Sequence, residues 1–202
     1  LSREDARTMD CVLHAGLRMA RMIDQILDLT RSRLGGGIPV SPRPMDLREA
    51  IQQIVEEQRT ANPGRVLSLE MCGDLRGCWD PDRLSQMLAN LIGNAFEHAD
   101  GDAGVKVMAQ RQEHTVKLAV HNDGTPIRAD LLPSIFDSFR RASPAQAQAS
   151  RGLGLGLYIC RQIAEAHGGT LEVESTRLSG TTFTLELPNG EAPRKAPPAP
   201  PR

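Results

Sequence analysis

Asn90, Asn94 and His98 lie four residues apart, so a helix through them stacks all three on one face. Beside that face runs an apolar stripe of Leu84, Met87, Leu88, Leu91, Ile92, Ala95 and Phe96. Asn is a poor interior helix residue because its amide competes for backbone hydrogen bonds, so a pair on one face implies a polar task. A carboxamide oxygen is a hard, neutral ligand suited to Mg²⁺ already shared with phosphates. The plain alternative is a solvated helix face. A second cluster, Gly152-Leu153-Gly154-Leu155-Gly156-Leu157, leads straight into a helix. Alternate glycines let backbone approach a ligand, and a helix N-terminus offers unpaired N–H groups to an anion. The run is neither the dinucleotide fingerprint, being one residue short before its third Gly, nor a P-loop. Its alternative is a flexible hinge, which the bulky Leu alternation disfavours. Asn122-Asp123-Gly124-Thr125-Pro126 reads by itself as an ordinary turn ending a strand. Arg140, Arg141 and Arg151 bracket an Ala/Gln/Ser-rich stretch, residues 142–150. Arginines at the ends of such a segment can close over phosphates, although exposed arginines usually do nothing specific.

The elements that must position these residues follow from periodicity. Met9, Leu13, Gly16, Ala20, Ile23, Leu27, Thr30 and Leu34 recur at spacings of four and three, a heptad seam that asks for a partner helix. Gly35-Gly36-Gly37 stops that helix, and a Pro-containing stretch over 38–44 reads as a linker. Asp46, with Glu49 three residues on, opens a helix whose buried stripe is Leu47, Ala50, Ile51, Ile54 and Val55. Strand patterns occupy 66–71 and 75–79, and Asp80-Pro81 opens the helix that carries the asparagines. Strands at 105–110 and 115–120, a brief helix around 131–136, a helix over 155–167 stopped by Gly168-Gly169, and strands at 171–174 and 182–187 complete the order. Mixed helices and antiparallel-looking strands make an α+β layer domain rather than a βαβ alternation. The boundaries expected are a partial hairpin at 1–36, a linker at 37–45, a main domain at 46–188 and a disordered Pro-rich tail at 189–202.

Composition narrows the class. With 202 residues, 24 Lys+Arg against 25 Asp+Glu and a net charge of -1, no basic excess marks a nucleic-acid or membrane-surface binder. Hydrophobic content of 40% argues against a disordered chain, and no apolar run approaches the roughly 20 residues of a spanning helix. The four Cys (Cys11, Cys72, Cys78, Cys160) form no CxxC pair, so neither a zinc site nor a disulfide framework is implied, and a cytoplasmic setting is expected. The chain opens at Leu1 without Met or signal peptide, and is expected to be a piece of something longer.

In this order, the motifs resemble the catalytic and ATP-binding part of a sensor histidine kinase of two-component signalling. Asn90-Leu91-Ile92-Gly93-Asn94-Ala95 matches the N box, and residues 122–126 match the first glycine box. Phe136-Asp137-Ser138-Phe139 matches the F box, residues 152–157 the second glycine box, and Gly180-Thr181-Thr182-Phe183 the last. The resemblance covers residues 9–188 and implies a Bergerat-type ATP-binding fold, a mixed sheet backed by helices. It further implies ATP and Mg²⁺ as ligands, with Asn94 holding the metal and Asn90 supporting the metal and phosphate shell. His98 and Gly124 would lie against the adenine, Gly152, Gly154 and Gly156 would bring amides to the phosphates, Arg141 would meet the terminal phosphate, and Thr181 would join the adenine-side network. Residues 14–33 resemble the second helix of the dimerisation hairpin, which explains a seam without a partner. The implied partners are a second copy through the hairpin helices and a response regulator receiver domain, with no nucleic acid and no membrane contact from these residues.

The sequence departs from the family pattern in three places. The five His (His14, His98, His114, His121, His167) include none in a phosphoacceptor motif, so the accepting His is expected outside this chain. Asn122 replaces the adenine-reading Asp; its amide oxygen can still accept from the exocyclic amine. Glu97 stands where many members place a base. The reading is a protein-histidine kinase module that passes the γ-phosphoryl to a His for relay to an Asp. The alternative is a degenerate nucleotide-binding scaffold without kinase activity. A third reading, a related ATPase or serine kinase, is disfavoured by the hairpin-like helix.

Overall fold

A computed structural model describes residues 3–101, 103–140 and 153–189. The stretch 142–150 and the tail from 190 onward lie outside the described residues, as do Arg141, Arg151 and Gly152. The chain opens with α1 (Arg3–Arg31), continued by a wider π turn over Ser32–Gly36. Next come β1 (Arg43–Asp46), α2 (Leu47–Ala61), β2 (Leu67–Cys72), β3 (Arg76–Trp79) and α3 (Pro81–His98). The remainder is β4 (Val105–Arg111), β5 (Thr115–Asn122), a 3-10 turn (Leu132–Ser134), α4 (Gly156–Ala166), β6 (Thr170–Thr176) and β7 (Gly180–Pro188).

The main sheet has five strands in the order β2-β4-β5-β7-β6, with β2 parallel to β4 and every other pair antiparallel. Period-two alternation sends Val105, Val107 and Ala109 of β4, Val116, Leu118 and Val120 of β5, and Phe183, Leu185 and Leu187 of β7 into the core. The apolar stripes of α2, α3 and α4 cover that face. Each of the two longer covering helices is capped as its sequence predicts. Asp46 accepts from the Arg48 N–H, and Asp80 Oδ1 accepts from the Asp82 and Arg83 N–H groups with Pro81 in the first turn.

Two expectations change. The stretch read as a linker carries β1, which pairs antiparallel with β3; Ile38 is buried and the Ser41 N–H donates to Asp80, so the segment is sewn into the domain. The brief helix around 131–136 contracts to the 3-10 turn, closed by i→i+3 bonds from the Ser134 N–H to the Leu131 carbonyl and the Ile135 N–H to the Leu132 carbonyl. Of the heptad seam, Met9, Ile23, Leu27 and Leu34 are exposed in the single chain. Among the described side chains of α1, those buried are Leu29 and Asp28.

Candidate functional site

The polar end of the core lies where β5 and β7 run out beneath α3. Asn122 continues the inward parity of Val116, Leu118 and Val120, and is 2% exposed. Its register partner on β7 is Thr181, itself buried, so an amide and a hydroxyl terminate two otherwise apolar rows side by side. The Thr181 hydroxyl lies 2.7 Å from Ser175 Oγ on β6, and that oxygen accepts from the Ile127 N–H at 2.9 Å. Ser175 went unnoticed in the motif reading. Its signal was parity, since it follows Leu171 and Val173 on the inward face.

The Asn122 strand end is fixed to α3. The Ala99 and Gly124 backbones form an antiparallel bridge, and the Asp100 N–H donates to the Asp123 carbonyl at 3.1 Å. A Cβ on Gly124 would overlap the His98 carbonyl, so Gly is required there by the helix end it packs on. His98 itself, the last residue of α3, is exposed.

Asn90 and Asn94 are half-buried on the α3 face turned toward α4. An ideal Cβ on Gly156, the first residue of α4, would stand 3.9 Å from Asn90 Cγ. The first turn of α4 has no side-chain cap, so its N–H groups are unclaimed by any side chain. Asn90 Nδ2 is buried without a hydrogen-bond partner. Beside it lies the Cys160 thiol, which donates to the Met87 carbonyl at 3.6 Å and whose pKa is pushed up to about 12, chiefly by burial. A neutral thiol is a weak acceptor and leaves the Asn90 amide short of a proper bond. An orphaned amide against an uncapped helix N-terminus is a donor set that suits an anion, and Asn94 one turn on supplies a neutral oxygen for a hard cation. The residues therefore fit a nucleotide triphosphate with Mg²⁺.

Gly154 takes φ +70, and a Cβ there would come within 2.8 Å of the Arg140 carbonyl. The Phe139 N–H donates to the Gly154 carbonyl at 3.0 Å, with Phe139 itself left-handed at φ +64. These bonds bring the F-box end and the start of α4 together at the site. Of the residues singled out in the sequence, Asn90 meets the Gly156 position, Asn122 pairs with Thr181 across β5 and β7, and Gly124 packs on the His98 carbonyl. Arg141 and Gly152 lie outside the described residues. Among the described residues no group of three or more His, Cys, Asp or Glu could hold a metal.

Residues 79–191 match the family model described as histidine kinase-, DNA gyrase B-, and HSP90-like ATPase. Over 195 residues the chain is 37% identical to the bacteriophytochrome of Pseudomonas aeruginosa, covering 95% of this chain and 27% of that protein. It is 29% identical over 189 residues to the sensor protein SrrB of Staphylococcus aureus, covering 93% of this chain and 32% of SrrB. The chain thus spans about a third or less of the length of these relatives. Among solved structures, the catalytic domain of the histidine kinase ThkA superposes with a TM-score of 0.64 at 30% identity, covering 74% of this chain and 97% of that one. ThkA in complex with the response regulator protein TrrA gives a TM-score of 0.68 at 26% identity, covering 91% of this chain and 51% of that one. The mixed five-stranded sheet and its covering helices agree with these likenesses, and the chain belongs to the histidine kinase-, DNA gyrase B-, and HSP90-like ATPase family as a sensor-histidine-kinase type of catalytic domain.

Proposed function

We propose that this chain is the ATP- and Mg²⁺-binding catalytic module of a sensor histidine kinase, passing the γ-phosphoryl to a His outside these residues for relay to an Asp of a response regulator receiver domain. The observation that carries the reading is the unpartnered Asn90 amide set against the uncapped start of α4. Phosphoryl transfer needs mainly positioning and charge neutralisation. Asn94 Oδ1 would hold the metal and Asn90 would donate to a phosphate oxygen. The α4 amides from Gly156 onward would orient the phosphate chain, while Asn122 and Thr181, with Gly124 and His98 alongside, would seat the adenine. Bound Mg²⁺ supplies the charge neutralisation across the phosphates. Arg141 is proposed for the terminal phosphate and Gly152 for the same phosphate cradle. The exposed seam of α1 is proposed to meet a second copy. The cytoplasm, where ATP and receiver domains meet, is the proposed setting; among the described residues no helix is long and apolar enough to cross a membrane.

The test is thermal unfolding with and without Mg²⁺ and a non-hydrolysable ATP analogue, on the wild type and Asn94→Ala. Ligand at about 100 times its Kd adds roughly 2.7 kcal/mol to the folded state. At about 2–4 °C per kcal/mol the expected rise is about 5–10 °C, requiring Mg²⁺ and lost in Asn94→Ala. No shift at millimolar nucleotide would instead favour the scaffold reading.

A further inference from the structure

The docking of α1 on the catalytic body rests on little apolar contact. Ile23, Ile26 and Leu27 are each about half exposed, and Leu29 is the one large apolar side chain of α1's last turns that is buried. Just past its end, Ser32 bonds Tyr158 and Gln162 of α4 and Arg33 donates to Ser138, while within α1 itself a charge does the joining. Asp28, its side chain 4% exposed, receives Arg83 Nη1 at 3.0 Å on Oδ1 and 2.9 Å on Oδ2, and Gln86 Nε2 at 2.9 Å on Oδ2. Arg83 Nη1 also donates to Gln86 Oε1 at 2.8 Å, so the three side chains close a network. Buried ion pairs fix register more dependably than they add stability, and removing one partner strands the other's charge.

Arg83 and Gln86 precede Asn90 on α3 by seven and four residues, which puts all three on one face. They share a groove of about 520 Å³ whose α1 wall includes Asp24, Asp28 and Arg31. Asn90, with its orphaned amide, is the α3 residue that belongs both to this groove and to the phosphate-facing donor set. A polyanion placed at Asn90 enters a groove with two cations, Arg31 and Arg83, and three acids, Asp24, Asp28 and Asp82, in which Arg83 is already held by Asp28. Two anions then compete for one guanidinium, which pairs with phosphate as readily as with carboxylate.

We propose that Asp28–Arg83 is a latch between α1 and the catalytic body, and that nucleotide phosphates release it by drawing Arg83 away from Asp28. This rests on the nucleotide reading given above. Latching and nucleotide binding therefore oppose one another, and the opposition is reciprocal: whatever nucleotide does to α1 docking, α1 docking does to nucleotide affinity.

The experiment joins hydrogen exchange across residues 24–34 to titration with the ATP analogue AMPPNP and Mg²⁺, on the wild type, Asp28→Asn and Arg83→Gln. Saturating AMPPNP is expected to speed exchange of 24–34 in the wild type. Asp28→Asn should show that fast exchange without ligand and bind AMPPNP more tightly, by about fivefold or more, the usual floor for coupled sites. Arg83→Gln should show fast exchange with weaker AMPPNP binding, which a merely structural ion pair would not produce. AMPPNP binding that leaves the exchange of 24–34 unchanged, or an Asp28→Asn affinity equal to wild type, overturns the latch. Failure of all three proteins to bind AMPPNP overturns the nucleotide reading itself and the competition with it.

Discussion

The backbone N–H of Asp80 donates to His167 Nε2 at 3.0 Å, and His167 Nδ1 lies 2.8 Å from the Ile163 carbonyl. With Nε2 accepting, Nδ1 is the ring nitrogen that donates, so the orientation of the imidazole is set by the two backbones it joins. One ring thus ties the end of α4 to the first residue of the α3 cap. Both helices carry site residues, so this bond sets their relative position. His167→Leu would leave the Asp80 N–H without its partner. The expected loss is about 1–3 kcal/mol of stability, read by urea unfolding followed through Trp79 fluorescence.

The Asp80 carboxylate predicts an acid limit. Burial alone would raise its pKa, but the N–H groups of Ser41, Arg83 and Asp82 bring it below the ordinary carboxylate value. A depressed folded pKa means stability that is complete above the unfolded value, about 4, and is lost as pH falls through the lower folded value. Asp80→Asn removes that dependence and, while keeping a capping oxygen, loses the charge's interaction with the helix N-terminus, about 0.3–1 kcal/mol. Urea midpoints from pH 7 down to pH 2.5 check this: the gap between wild type and Asp80→Asn should be full at pH 7 and shrink below about pH 4. A constant gap would refute the assignment.

Much of this was legible from residue patterns, for reasons that can be located. Asp80-Pro81 and the stripe from Leu84 to Ala95 give α3 its start, its buried face and the placement of Asn90 and Asn94, because capping and 3.6-residue periodicity are local properties. Strand parity likewise puts Asn122 inside with Val120. Three features escaped because they are not local. Pro39, Pro42 and Pro44 read as a linker, yet Arg43–Asp46 pairs with β3, since an edge strand tolerates a Pro whose missing N–H faces away from its neighbour. The parallel pairing of β2 with β4 joins segments separated by β3 and α3. Asp28 on a heptad helix looks like a solvated charge; only its partner on α3, 55 residues away, makes it a buried one.

Gly124 supplies a prediction about packing. Its Cβ position is taken by the His98 carbonyl, backbone that no rotamer change can clear. Gly124→Ala must push the 122–126 turn off the end of α3, at a cost of about 1–3 kcal/mol by the usual scale of overpacking. The displaced turn carries Asn122, so AMPPNP affinity should fall as well. Calorimetric unfolding with and without AMPPNP checks both; a wild-type Tm would show that the turn relaxes freely.

Asn90 separates stability from function. Its buried Nδ2 has no partner in the free protein, and an unsatisfied buried donor costs about 1–3 kcal/mol. Asn90→Leu keeps the branched outline of the side chain at a larger volume and removes that donor. The free Asn90→Leu protein should therefore unfold at a temperature equal to or a few degrees above wild type, about 2–4 °C for each kcal/mol recovered. The Mg²⁺- and AMPPNP-dependent rise should at the same time shrink or vanish, because the group that waits unpaired is the one the phosphates satisfy. Differential scanning calorimetry on both proteins, with and without ligand, gives the four temperatures required. A destabilised free Asn90→Leu would mean that the amide is already satisfied in the protein itself, and that its position facing α4 is structural.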